Sequence, residues 1–131
     1  MYYNNGRLVK CRSRHTNNGC ALKVGIGKNL YERLNKHRAS LDSCLLLKTG
    51  GTRDNPDDVQ SKGSILAKHL YYDSSIASGY DLKSEIGRRN VLLHECHILF
   101  WVTGTLQEAR EIEKKREREG RFRHVDRVVK R

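Results

Sequence analysis

Residues 22–41 constrain the fold more than any other stretch: Leu-Lys-Val-Gly-Ile-Gly-Lys-Asn-Leu-Tyr-Glu-Arg-Leu-Asn-Lys-His-Arg-Ala-Ser-Leu. Leu22, Lys23 and Val24 read as a strand. Gly25 and Gly27 follow, and without a Cβ they let the backbone turn sharply or lie close to a partner. Asn29 suits an N-cap, its side-chain oxygen accepting an orphaned N–H of the next turn. Leu30, Leu34 and Leu41 recur at helical spacing with Tyr31 and His37 beside them, while Glu32, Arg33, Lys36 and Arg38 fall on the polar face. A strand that breaks at glycines into a helix bearing an early arginine can hold that cation against a phosphate. An ordinary tight turn before an amphipathic helix gives the same pattern.

A length of 131 residues suits one domain with a modest core. The 26 basic residues outnumber the 15 acidic ones for a net charge of +11, which suits a polyanionic partner. Nucleic acid is the expectation, DNA ahead of RNA. No apolar run is long enough to cross a bilayer and no leader segment is legible, so an intracellular, reducing setting without membrane contact is expected. Cys11, Cys20, Cys44 and Cys96 form no CxxC pair and read as reduced, small hydrophobes rather than zinc ligands.

Taken in order, residues 1–6 look like a loose start in which Tyr2 and Tyr3 could pack. Residues 8–15 alternate like a strand, Asn17-Asn18-Gly19 is a tight-turn signal, and residues 20–24 would pair back as a hairpin. Leu45, Leu46 and Leu47 form a short apolar run, either an extension of the helix or a separate buried piece. Residues 49–58 hold two adjacent glycines and the only proline and read as a loop, with Asp54, Asp57 and Asp58 as solvated turn residues. Residues 64–72 suggest a short helix, and Asp81 a cap for another running to Arg89. The 49–90 segment reads as an insertion too short to own a core. Residues 91–102, rich in β-formers, predict a central strand, on which His94 and His97 would face opposite ways, which argues against a shared metal, whereas a helix would bring them together. Thr105-Leu106-Gln107-Glu108 fits a capping box, followed by a helix to Glu119 with Leu106, Ala109 and Ile112 inward and Gly120 as C-cap. Residues 121–131 form a basic final strand or tail, with Arg121 and Arg123 joining Lys28, Lys36 and Arg38 as candidate contacts to nucleic acid.

The order hairpin, arginine-bearing helix, insertion, strand, glutamate-bearing helix resembles the GIY-YIG nuclease superfamily. The closest likeness is to the branch with lysine where others have the second motif's tyrosine. The residues that carry the resemblance are Lys23-Val24-Gly25-Ile26-Gly27 with Arg33 on the helix after them, Cys96-His97-Ile98-Leu99 as the third strand, and Ala109-Arg110-Glu111-Ile112-Glu113. The alanine four positions earlier selects Glu113 over Glu111 as the family's metal-binding glutamate.

The resemblance implies an α+β fold: a small three-stranded, mostly antiparallel sheet flanked by helices, with the 49–90 insertion between the first helix and the third strand, all in one domain. It implies phosphodiester hydrolysis with one Mg²⁺ or Mn²⁺ held by Glu113, with Arg33 stabilising phosphoryl charge. The sequence departs from the pattern in one further place: Val9-Lys10-Cys11-Arg12 lies where the first-strand tyrosine is expected, and no tyrosine aligns. Since Lys23 replaces the second tyrosine, the base could be Lys23 with a lowered pKa, His15, Tyr31 or His37. The alternatives to a nuclease are a non-catalytic nucleic-acid-binding module and a basic structural component of a nucleoprotein assembly.

Overall fold

A computed structural model of the chain describes residues 2–4, 14–15, 19–39, 44–62, 65–74, 76, 79–119, 122, 124, 127–128 and 130. The fold is α+β. Strands β1 (Tyr2–Asn4), β2 (Arg14–His15), β3 (Gly19–Lys23) and, much later, β6 (Cys96–Ile98) form one sheet in the order β2-β3-β1-β6. Every neighbouring pair is antiparallel. The sheet therefore has the expected sense and one strand more than expected.

The hairpin around residues 14–20 is present, with Arg14 opposite Cys20 and His15 opposite Gly19. Two expectations are corrected. The start of the chain is not loose, because Tyr2–Asn4 occupies an interior position of the sheet between β3 and β6. Residues 5–13, including the stretch where a first-strand tyrosine was sought, lie outside the described residues. Residues 91–102 are not a central strand. Helix α3 (Glu85–Glu95) runs through the first five of them, and only Cys96–Ile98 forms a strand, at the sheet edge. The reason is the α3 start: Ser84, rather than Asp81, is the N-cap, its Oγ accepting from the Gly87 amide at 3.0 Å. From there Gly87, Arg88, Val91 and Leu92 recur at helical spacing and are all buried. His94 stands exposed near the helix end, whereas His97 belongs to the strand.

Between helix α1 (Leu30–Ala39) and α3 lie a two-stranded hairpin, β4 (Leu45–Leu47) with β5 (Val59–Ser61), and helix α2 (Ile65–Tyr71). The loop joining β4 to β5 contains a single 3-10 turn, Pro56–Asp58, capped by Asn55. Asp58 is tied down there by the Thr52 amide at 3.0 Å. This region contributes to both core clusters. Leu66, Leu70, Ile76 and Leu82 meet Val91 and Leu92 of α3 and Leu22 of β3 in the main core. Leu45, Val59, Ala67 and Tyr72 form a second cluster with Val128. Helix α2 bridges the two because Leu66 and Leu70 share one face and Ala67 lies on the next.

Part of the described tail belongs to the core. Phe122, His124 and Val128 are buried. The His124 amide donates to the Leu22 carbonyl at 2.9 Å, and its ring lies 3.3 Å from the Asp73 carboxylate and stacks on His69. Arg88, fully buried, donates to the Leu82 and Lys83 carbonyls at 3.1 and 3.0 Å. No helix among the described residues is long and apolar enough to cross a membrane.

Gly87 is the tightest contact in this architecture, since a Cβ there would run into the Asp81 carbonyl. Gly87→Ala is predicted to lower the unfolding free energy by about 3 kcal/mol in urea titration. Gly104→Ala, at an exposed site where the added methyl meets only the flexible end of Glu108, should change it by less than about 0.5 kcal/mol.

Candidate active site

Leu22 of β3 and Val24 just after the strand are buried and Lys23 between them is half-buried, so the strand ends with a cation off the core. The chain then turns through Gly25 and Gly27 into α1. Asn29 caps that helix as expected, its Oδ1 accepting from the Glu32 amide at 3.2 Å. The turn and the helix are packed so closely that a Cβ built on Gly27 would lie 3.1 Å from Arg33 Cβ and 3.2 Å from its Cγ. One on Gly25 would lie 3.8 Å from an Arg33 guanidinium nitrogen. The glycines thus leave the space along which the arginine side chain runs back over the turn.

Helix α4 (Leu106–Arg118) supplies the opposing carboxylates. Thr105 caps it, its Oγ1 accepting from the Glu108 amide at 3.1 Å. The Glu108 carboxylate reaches back to the Gly104 amide at 3.1 Å, one residue before the partner of the usual capping box. Ala109, Ile112 and Glu113 share the inward face at helical spacing.

These elements enclose a pocket of about 260 Å³. The β3–α1 turn and the first turns of α1 form one side, residues 98–103 a second and α4 a third. Lys23, Lys28, Arg33, His37 and Glu113 all line it, so the arginine and the glutamate, 80 positions apart in the chain, meet at one cavity. Tyr31 does not join them: two residues before Arg33 it falls on another face of the helix and is 76% exposed. Lys36 is exposed outside the pocket. The side chain of Arg38, and Arg121 and Arg123 entirely, lie outside the described residues, as does the side chain of His15.

Each polar group in the pocket has a distinct electrostatic setting. Lys23 forms an ion pair with Glu117 at 3.9 Å, one helical turn beyond Glu113. His37 is 6% exposed. Burial, with Arg33 and Lys23 beside it, pushes its pKa from 6.5 down to about 4, so the ring is neutral at physiological pH. Cys96, next to the core, has its thiol pushed up to about 12 by burial and by Glu95, and is inert as a nucleophile. Glu113 is the one carboxylate among the described lining residues. Among the described residues no group of three His, Cys, Asp or Glu could form a closed cage for a metal. A single carboxylate in a cavity with room for water and phosphate is the donor set a hexacoordinate hard cation uses.

Two features of the site were missed in the sequence. Tyr2, on β1, is the register partner of Lys23 on one side and Ile98 on the other, and both of those residues line the pocket. A tyrosine does therefore stand on the strand beside Lys23, supplied by long-range pairing that no local signal announces. The second is residues 98–102, read as buried strand but in fact exposed along the pocket wall. No family model, no curated protein and no solved structure matches this chain.

The depressed pKa of His37 fixes the sign of a pH effect. The unfolded chain takes up a proton near pH 6.5, whereas the folded protein resists it down to about 4. The stability this ring provides is therefore fully present above pH 6.5 and is lost as pH falls toward 4. Between pH 7 and pH 4, wild type should lose on the order of 3 kcal/mol more stability than His37→Asn in urea titrations. Equal losses would show that the ring is not held neutral.

Proposed function

We propose that the chain is a metal-dependent nucleic-acid endonuclease of the GIY-YIG type. The observation that carries this reading is the convergence of Arg33 and Glu113 on one basic pocket. A phosphodiester in this pocket would meet three cations, Lys23, Lys28 and Arg33, and one carboxylate. That balance suits an anionic substrate whose charge rises in the transition state.

Each residue then has a role set by its surroundings. Arg33, positioned by the glycine turn, donates to the phosphoryl oxygens. Lys23, braced by Glu117, adds fixed positive charge. Glu113 would hold Mg²⁺ or Mn²⁺, and such a cation supplies stabilisation of the leaving oxygen when bound. Tyr2, opposite Lys23 in the sheet, takes the place of the first-motif tyrosine. In this reading Tyr2 is the general base for the attacking water. His37 is a second acceptor in this reading, its ring kept neutral chiefly by burial and further by Arg33. DNA is the preferred substrate in this reading. The non-catalytic alternative is a nucleic-acid-binding module with the same pocket and no turnover.

The test is incubation with plasmid, single-stranded DNA and RNA, with and without Mg²⁺ or Mn²⁺. Divalent-dependent cleavage is expected. Arg33→Ala and Glu113→Gln should each slow it at least about 100-fold, and Tyr2→Phe by roughly 100-fold or more. Salt-sensitive binding without turnover under any divalent ion would instead favour a pure nucleic-acid-binding module.

A further inference from the structure

Residues 98–102, Ile-Leu-Phe-Trp-Val, are five consecutive large apolar side chains, and each is more than a third exposed. Phe100 is 62% exposed, Trp101 48% and Val102 91%. They continue from the edge strand β6 into irregular chain and form one wall of the Arg33–Glu113 pocket. An apolar run left open to water next to a site marks an interaction surface. Its surroundings specify the partner. The same pocket carries Lys23, Lys28 and Arg33, and the Arg116 guanidinium lies 5.5 Å from the Trp101 ring centre. The apolar cores of protein interfaces are depleted of lysine, and this pocket carries two, Lys23 and Lys28. A nucleic-acid strand instead offers flat apolar rings and phosphates in alternation, and so matches aromatics interleaved with cations.

We propose that Phe100 and Trp101 form a stacking platform for unpaired bases of the strand whose phosphate occupies the Arg33–Glu113 pocket. This rests on the nucleic-acid part of the reading above and names the substrate class more narrowly: single-stranded or locally unpaired nucleic acid. Bases inside a duplex already stack on one another and present only their edges, so they cannot lie against these rings without being unstacked.

Trp101 is the chain's single tryptophan, so intrinsic fluorescence reads this ring alone. The wild-type protein is titrated, without divalent ions, with a short oligothymidylate, an abasic strand of equal length and a duplex of equal length. The oligothymidylate should quench the emission and bind roughly tenfold tighter than the abasic strand, as expected for one stacked base. The duplex should quench weakly. With a labelled strand, Trp101→Leu should lose about tenfold in affinity for oligothymidylate and none for the abasic strand, Phe100→Ala should behave alike, and Trp101→Phe should retain most of the affinity. Equal binding of abasic and thymidylate strands would overturn the platform while leaving the phosphate pocket standing. Binding to none of the three would remove the nucleic-acid reading and the platform with it. A self-association abolished by Trp101→Leu, with no base preference, would identify the strip as an interface between copies and also overturn the proposal.

Discussion

The contact on which the site depends is that between Gly27 and the stem of Arg33. Backbone and side chain approach so closely there that a methyl group would crowd the Cβ and Cγ of the arginine. A long, flexible cation is thereby positioned by shape, with its guanidinium laid back toward Gly25. Everything else in the pocket is arranged around that fixed charge. Lys23 arrives from the preceding strand, His37 lies one turn further along the same helix and Glu113 comes from a helix that starts at Thr105.

The segment between α1 and α3 is what makes this arrangement possible. The sheet is small, and Leu22 of β3 belongs to the described core, with Cys96 of β6 packed against it. The main core is otherwise built by α2, the turn after it and α3, and the second cluster by the β4–β5 hairpin, α2 and Val128. A chain of this length gains little from a thin sheet alone. Bringing α2 and α3 against β3 buries enough apolar surface to support a sheet whose other side, near Lys23 and Ile98, carries the pocket. The tail strengthens the same junction, since His124 closes a backbone hydrogen bond onto Leu22 while its ring reaches the buried Asp73.

Local chemistry was legible where it is self-contained. Asn29 and Thr105 cap helices within three or four residues, and both helices start where those residues place them. Arg33 and Glu113 could be singled out because each sits in a short pattern on its own helix. What could not be read depends on partners distant in sequence. Tyr2 acquires its place from pairing with Lys23 and Ile98, far downstream, and a three-residue strand has no period to detect. Residues 91–95 look like strand because they are apolar and β-branched at the start, but Ser84 and the buried spacing from Gly87 onward commit them to helix. The exposed aromatics at 100 and 101 look like core in any hydropathy reading. Such departures from the usual inside–outside rule concentrate at functional surfaces. The neutral, buried His37 is a departure of the same kind.

The central claim is that Arg33 and Glu113 act on one phosphodiester, and a double-mutant cycle on cleavage rate tests it most directly. Rates are measured for wild type, Arg33→Ala, Glu113→Gln and the double variant on one substrate at saturating Mg²⁺. If the two side chains stabilise the same transition state as a unit, the double variant is about as slow as the slower single one. Losses that simply multiply, or single variants that cut as fast as wild type, would contradict a shared site.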